Sequence, residues 1–277
     1  YEASISDDDV WGPVDALNAR DEVLYAEPDI EWQNTAVGSY TEATVEEVHE
    51  AWQLDSINAK AAWQKSYAAS MNPGQGAVVA VIDTGVDYSH IDLANSMWKN
   101  GNETFDGTDN DGDGYADDVY GVNLITGSGD PQDDQGHGTH VAGIIAAQAG
   151  NGGSVGVAYG AQIMAIKAGQ STGTFAASDI AKGIRYAVDH GADVINMSFG
   201  GTGRSAVVEA ALADAFSTCV LVASAGNDGL PTTEALAYGY IRAEDIYPAG
   251  YNYVLGVMSC DGNGNLSIFS NWDYASG

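Results

Sequence analysis

The stretch Gly76-Ala77-Val78-Val79-Ala80-Val81-Ile82-Asp83-Thr84-Gly85 decides the fold of this 277-residue chain. It contains an unbroken apolar run that ends on a carboxylate and then a glycine. Such a run is typical of a strand that is buried on both faces of a parallel sheet. Asp83 then lies at the carboxyl end of that strand, where the functional groups of open α/β sheets gather. Because a buried charge is costly without a partner, the sequence predicts a partner for Asp83.

Apolar runs and helical patterns alternate along the rest of the chain. Further strands are predicted at 162–168, 193–198, 219–223 and 254–258, and helices at 178–190 and 205–217. Strands and helices in this order imply right-handed crossovers. We therefore predict an α/β fold with a mostly parallel, doubly wound sheet and helices on both faces.

The charge of the chain limits its partners. There are 39 acidic and 9 basic residues, which give a formal net charge of −30 at pH 7. Binding to phosphate groups needs clustered Lys and Arg, so neither nucleic acid nor an anionic membrane is expected as a partner. No apolar run is long enough to span a bilayer.

The expected partner of Asp83 is His137, in the segment Gly136-His137-Gly138-Thr139-His140. This histidine begins an apolar helix whose small residues allow close packing on the sheet, so its ring is expected to face a cleft. An imidazole held by a carboxylate is the base half of a nucleophilic triad, because the carboxylate fixes the tautomer and stabilises the imidazolium.

Three motifs together resemble the subtilisin-like serine proteases, or subtilases. They are Val-Ile-Asp83-Thr-Gly-Val-Asp, Gly-His137-Gly-Thr-His-Val-Ala-Gly and Ala-Ser-Ala-Gly-Asn227-Asp-Gly, and the resemblance covers about residues 50–277. It implies a subtilisin-like fold and a serine endopeptidase that hydrolyses polypeptides through an acyl-enzyme. In that reading Asp83 orients His137, His137 is the general base, and Asn227 donates to the oxyanion.

The same resemblance assigns substrate binding to the segment that follows the predicted strand 193–198. Ser198, Phe199, Gly200 and Gly201 resemble the residues that line the specificity pocket. Tyr247-Pro248 resembles the family's turn with a cis proline.

The nucleophile departs from the family pattern. The serine motif of subtilases begins Gly-Thr-Ser, and no such tripeptide occurs before Gly277. We therefore expect a catalytic domain that is incomplete at its C-terminus, with the serine on a segment or second fragment beyond Gly277. The alternative is a non-catalytic, subtilase-like protein that binds peptides or calcium. Aspartic protease chemistry is disfavoured, because it needs two such carboxylates and no second Asp-Thr-Gly or Asp-Ser-Gly occurs.

The first part of the chain resembles a remnant of an inhibitory propeptide, on the evidence of Tyr25-Ala26-Glu27-Pro28-Asp29. We predict a propeptide remnant or N-terminal extension at 1–35, and a linker with the maturation site at 36–49. The catalytic domain, without its serine-bearing part, is predicted at 50–277.

A calcium site is predicted between the first two motifs. Asp109, Asp111, Asp113 and Asp117 occupy positions 1, 3, 5 and 9 of a loop like that of the EF-hand, with Gly114 at the sharp turn. Tyr115 is a further predicted ligand. Position 12 is Tyr120 rather than the usual glutamate, and Asp118 is expected to replace it. By resemblance, Asp92 is a further calcium ligand. His190 is expected to be a surface residue. The propeptide and the calcium loop together predict an extracellular, secreted protein.

Overall fold

The computed structural model describes residues 31–34, 52–151, 153–229 and 246–271, the first of these by backbone only. The predicted propeptide remnant at 1–35 and linker at 36–49 therefore lie outside the described residues, apart from one short strand. The helices are α1 Trp52–Ser56, α2 Ala59–Ala68, α3 His137–Ala146, α4 Ala177–Asp189 and α5 Ala206–Ala215. The strands are β1 Glu31–Asn34, β2 Val78–Asp83, β3 Gly121–Asn123, β4 Gln162–Lys167, β5 Thr174–Ala176, β6 Val194–Met197, β7 Phe199–Gly200, β8 Val220–Ser224 and β9 Leu255–Val257.

The central sheet has six strands in the order β3-β4-β2-β6-β8-β9, and every neighbouring pair is parallel. The predicted α/β class is confirmed, and the predicted strands are all present. The order places β2 in the middle of the sheet, so both of its edges are hydrogen-bonded. Only the short β3 was not predicted, since three residues carry no readable periodicity.

Helices cover both faces of the sheet, as a doubly wound fold requires. Ala80 and Ile82 of β2 pack in a core with residues of α4 and α5. Val79 and Val81 point to the opposite face, where they pack in a second core with residues of α3. Alternate residues of one strand face opposite sides, which explains why the whole run from Val78 to Ile82 is apolar.

A second, smaller sheet lies outside the central one and was not predicted. Its order is β5-β1-β7, and both pairings are antiparallel. Gln33 of β1 is paired with Thr174 of β5 on one side and with Gly200 of β7 on the other. A segment of the N-terminal region is thus the middle strand between two strands of the α/β unit.

The last strand of the sheet, β9, presents apolar side chains to solvent. Leu255 is 61% exposed, and Ile268, in the turns that follow, is 96% exposed. Among the described residues, no helix is long and apolar enough to cross a membrane.

Candidate active site

Asp83 ends β2, level with Lys167 of β4 in the parallel register. Its side chain is fully buried. One carboxylate oxygen, Oδ1, accepts hydrogen bonds from the backbone N–H of Thr84 at 2.7 Å and from Nδ1 of His137 at 2.8 Å. The other oxygen, Oδ2, is buried without a hydrogen-bond partner among the described residues. Buried acceptors left unpaired are uncommon, and a catalytic role is one of the explanations for them.

The first turn of α3 brings His137 to Asp83. Gly136, the residue before the helix, has φ 102°, a conformation that favours glycine. Gly138 touches the end of β2 so closely that a Cβ on it would lie 2.1 Å from the carbonyl oxygen of Gly85. The glycines on both sides of His137 therefore allow the helix to start directly against the strand end. The histidine side chain remains 16% exposed.

The environment of His137 raises the pKa of its imidazole above the usual 6.5. Burial alone lowers this pKa, because it disfavours the charged form. The hydrogen bond and the charge of Asp83, together with the charge of Asp133, have the larger effect in the opposite direction. The site thus favours the imidazolium that forms when His137 takes up a proton.

Asp133 joins α3 to β2, a role that the sequence analysis did not find. Its oxygens accept five hydrogen bonds, from Thr84 Oγ1, the N–H groups of Gln135, Gly136 and Thr139, and Thr139 Oγ1. Thr84 Oγ1 in turn accepts from the N–H of Gly138 at 3.0 Å. Burial raises the pKa of Asp133, but these donors together have a larger effect in the opposite direction. The pKa of Asp133 therefore lies below its usual value. The available signal was an acid just before a helix start.

Lys167, at the end of β4, stabilises the chain just after β2, and this role was not predicted either. Its ammonium donates to the backbone carbonyl of Thr84 at 2.6 Å, to Asp134 Oδ1 at 2.6 Å and to the carbonyl of Gly169 at 3.3 Å. The lysine side chain is only 5% exposed, so its charge is compensated inside the protein. A lysine that ends an apolar run, in a chain with few basic residues, was the signal for it.

Asn227 follows β8, at the same edge of the sheet as Asp83. The strand β8 is parallel to β6, and β6 is parallel to β2, so the three carboxyl ends lie side by side. Asn227 comes three residues after the end of β8 and is half-buried. The peptide bond between Tyr247 and Pro248 is cis, as predicted.

The predicted substrate-binding segment lies in the smaller sheet. Ser198 directly follows β6, Phe199 and Gly200 form β7, and Gly201 forms an isolated bridge with Tyr247. The ring of Phe199 is fully buried and stacks on Phe175 of β5, with 4.4 Å between centroids. Phe199 therefore connects β7 with β5 through a buried contact between their side chains.

The predicted calcium loop brings several acids together. Oxygens of Glu103, Asp109 and Asp111 lie within 4.8 Å of one another, and we call these residues the Glu103 group. Glu103 was not predicted as a ligand, and its buried carboxylate accepts from the N–H groups of Asn110, Asp111 and Asp117. Gly114 has φ 102°, as the sharp turn requires.

A second set, the His190 group, consists of Asp113, Asp118 and His190, whose ligand atoms also lie within 4.8 Å of one another. The sequence indicated a surface position for His190, and this is wrong. Its side chain is 13% exposed and stacks on Tyr186, with Nε2 3.5 Å from Asp113. Burial raises the pKa of Asp113 and of Asp118, and neighbouring acids raise each of them further.

The remaining predicted ligands have different contacts. Asp117 belongs to neither group, and its Oδ1 accepts from the N–H groups of Asp106 and Gly107 at 2.8 Å. The ring of Tyr115 packs edge-on against Tyr186. Asp92 lies apart from the loop and accepts a hydrogen bond of 2.7 Å from the side chain of Asn151.

Comparison with known proteins agrees with this arrangement. The model of the subtilase family matches residues 74–276. A thermophilic serine proteinase from Bacillus sp. (strain AK1) is 35% identical over 262 residues, which cover 94% of this chain and 55% of that protein. Thermitase from Thermoactinomyces vulgaris is 34% identical over 211 residues, 76% of this chain and 64% of the relative. The major intracellular serine protease of Bacillus subtilis (strain 168) is 40% identical over 201 residues, 72% and 55% of the two chains.

The chain spans roughly half to two thirds of the length of these relatives. The family model nevertheless extends over most of the chain, from just before β2 to beyond β9. The parallel sheet, the Asp83–His137 pair at its carboxyl edge and this match lead to one conclusion: the chain belongs to the subtilase family.

Proposed function

We propose that the protein is a calcium-stabilised serine endopeptidase that cleaves polypeptides through an acyl-enzyme. The observation that carries this proposal is the hydrogen bond between His137 Nδ1 and Asp83 Oδ1, with the carboxylate fully buried. A buried carboxylate that accepts from Nδ1 leaves Nε2 as the proton acceptor of the ring.

The chemistry follows from this arrangement. A serine hydroxyl attacks the carbonyl carbon of the scissile bond while His137 takes the hydroxyl proton on Nε2. Asp83 holds the ring in the required tautomer and stabilises the imidazolium. His137 then gives the proton to the leaving amine, and water hydrolyses the acyl-enzyme by the same steps. The half-buried amide of Asn227, at the same sheet edge, donates to the oxyanion.

The nucleophilic serine comes from a segment or second fragment beyond Gly277. No serine hydroxyl among the described residues hydrogen-bonds to His137. The exposed apolar side chains of β9 and the turns after it support the proposal, because a large apolar surface marks a place where protein packs. Packing of further elements against β9 would bring a second segment close to the carboxyl edge of β8.

Polypeptide substrate binds as the middle strand between β5 and β7, through backbone hydrogen bonds of the kind that β1 makes in this structure. The region that contains β1, residues 1–35, then acts as an inhibitor, and maturation takes place in 36–49. Two strand registers support this. Asn34 is opposite Phe199, so the chain after β1 runs towards Ser198. Ile82 is level with Met197, the residue before Ser198, so the chain runs towards the end of β2 that carries Asp83.

Calcium binds the acidic loop and stabilises the fold. The residues fit a hard cation, because the Glu103 group offers clustered carboxylates and because burial and mutual repulsion raise the pKa of Asp113 and Asp118. Glu103, Asp109 and Asp111 would hold the ion, with Asp113 and Asp118 of the His190 group as further acids of the loop, whereas Asp117 belongs to neither group. Asp92, with Asn151, is a separate candidate.

The proposed location of the protein is extracellular, where calcium is abundant. Detection of the protein in cells but not in the medium would contradict this location.

The test of the function is hydrolysis of an unfolded polypeptide by the complete protein, followed by mass spectrometry of the products. Wild type is expected to give new internal termini, and the folded variants His137→Ala and Asp83→Asn are expected to give almost none. The exposed acid Asp214 supplies a charge-matched control, Asp214→Asn, with wild-type activity. Cleavage that persists at the wild-type rate in His137→Ala would reject the proposal.

A further inference from the structure

We propose that Asp133 is the positioning residue of this site: its carboxylate fixes the start of α3 against the end of β2 and thereby sets His137 on Asp83. The inference rests on the proteolytic function proposed above for its kinetic consequence. Its structural part, the control of His137 by Asp133, can be measured without any substrate.

The hydrogen bonds of Asp133 connect the end of β2 to the start of α3. Asp133 Oδ1 accepts from Thr84 Oγ1 at 2.9 Å and from the N–H of Gly136 at 2.9 Å. Thr84 directly follows Asp83, and Gly136 directly precedes His137. Thr84 Oγ1 also accepts from the N–H of Gly138, so the residues on both sides of His137 are tied to the residue after Asp83. This closed set of bonds leaves the Asp83–His137 distance little freedom.

Both oxygens of Asp133 are in use as acceptors. Oδ2 accepts from the N–H of Thr139 at 3.0 Å and from its hydroxyl at 2.6 Å. An asparagine in either orientation would turn an N–H₂ group towards one of these sets of donors, so it cannot preserve them all. A carboxylate is also the preferred partner of exposed N–H groups at the start of a helix.

The negative charge of Asp133 also acts on His137. His137 faces the carboxylate of Asp83 from β2 and that of Asp133 from the loop before α3, and both favour its protonated form. Lys167 of β4, whose ammonium donates to the carbonyl of Thr84, forms an ion pair with Asp134 at 2.6 Å. Loss of the Asp133 charge therefore lowers the affinity of His137 for a proton.

The experiment compares wild type with Asp133→Asn in the complete protein. The pKa of His137 is measured by NMR from its ring protons, and kcat and KM are measured as a function of pH. Asp130→Asn is the control, because Asp130 is an exposed acid of the same loop whose bonds reach Tyr88 and Gln132 rather than α3. It removes the same charge without touching the helix.

In Asp133→Asn we expect the His137 pKa to fall by about one pH unit. We also expect kcat to fall between about tenfold and a hundredfold with KM little changed, as for a small misplacement of a reacting group. A folded Asp133→Asn protein with the wild-type His137 pKa would overturn the inference. If instead the pKa falls but wild type itself hydrolyses nothing, the proposed function fails while the positioning role stands.

A second pair of variants keeps the test decisive if Asp133→Asn does not fold. Thr84→Ser retains the hydroxyl that joins Asp133 to Gly138, and Thr84→Val replaces it with a methyl group of similar size. The inference expects Thr84→Ser to keep the His137 pKa and kcat, and Thr84→Val to lose kcat. Equal kcat in the two variants would overturn it.

Discussion

His137 Nδ1 lies 2.8 Å from Asp83 Oδ1, and no other side chain among the described residues hydrogen-bonds to that carboxylate. The strand β2 supplies the acid from the centre of the sheet, where both neighbours hold it in register. The helix α3 supplies the base from one face. The Asp83–His137 pair is thus held by a central strand and a packed helix, so a small displacement of either element would change the distance between the two side chains.

Replacement of Asp83 by asparagine should leave the fold intact and remove almost all activity. The amide is of the same size, but its N–H₂ group can turn towards Nδ1 and select the wrong tautomer. In other triad proteases this change lowers kcat by about four orders of magnitude, and a similar loss is expected here. Steady-state kinetics on the complete protein, with circular dichroism to verify folding, provides the check. A loss of less than tenfold would argue against the assigned role.

The pH dependence of kcat/KM should reflect the raised pKa of His137. The ring must be neutral to accept the serine proton, so activity rises as the pH passes through this pKa, and the midpoint should lie above 6.5. In Asp83→Asn the residual activity should have its midpoint at lower pH, because the hydrogen bond and the charge that raise the pKa are gone. Identical midpoints in the two proteins would contradict this explanation.

Removal of calcium should lower thermal stability more than activity at low temperature. A ligand present at a hundred times its Kd stabilises the native state by about 2.7 kcal/mol. For a domain of this size that corresponds to a change in Tm of roughly 5–10 °C. Calorimetry with and without a chelator measures it.

Variants show which acids bind the ion. Asp111→Asn should reduce the calcium-dependent increase in Tm, since Asp111 belongs to the Glu103 group. Asp214→Asn, on the exposed side of α5, should keep the full increase. Equal increases in Tm in both variants would place the ion elsewhere, with the Asp92 and Asn151 pair as the next candidate.

Because β1 is the middle strand of the small sheet, we expect the N-terminal region to inhibit hydrolysis of the substrate. A peptide of residues 22–35 should inhibit the mature protein competitively, because its backbone can pair with both β5 and β7. The same peptide with Gln33→Pro should bind far more weakly, since proline cannot donate to the ladder of a central strand. Equal inhibition constants for the two peptides would exclude binding as a strand.

Much of the fold could be predicted because long apolar runs and helical periodicity are local properties. The run that ends at Asp83 identified the central strand, and the glycines around His137 indicated a close approach of a helix to the sheet. The small sheet could not be predicted in this way, because it joins strands of two to four residues that are distant in sequence.

The parts of the site that were missed have a common physical reason. Asp133, Lys167 and Glu103 act mainly through hydrogen bonds to backbone groups, and such bonds depend on the path of the chain rather than on residue type. The surface position indicated for His190 was wrong for a similar reason. Its burial comes from packing on Tyr186 and from the acidic loop, which lies far from it in sequence.

Labelling of the complete protein with a fluorophosphonate, followed by mass spectrometry of the adduct, tests the central claim most directly. This reagent modifies a serine only where a neighbouring base activates it. We predict one labelled serine in the wild-type protein, and almost no label in the folded variants His137→Ala and Asp83→Asn. A folded wild-type protein that takes up no label, or label that is unaffected by either substitution, would contradict the account and favour a subtilase-like protein that binds peptides without cleaving them.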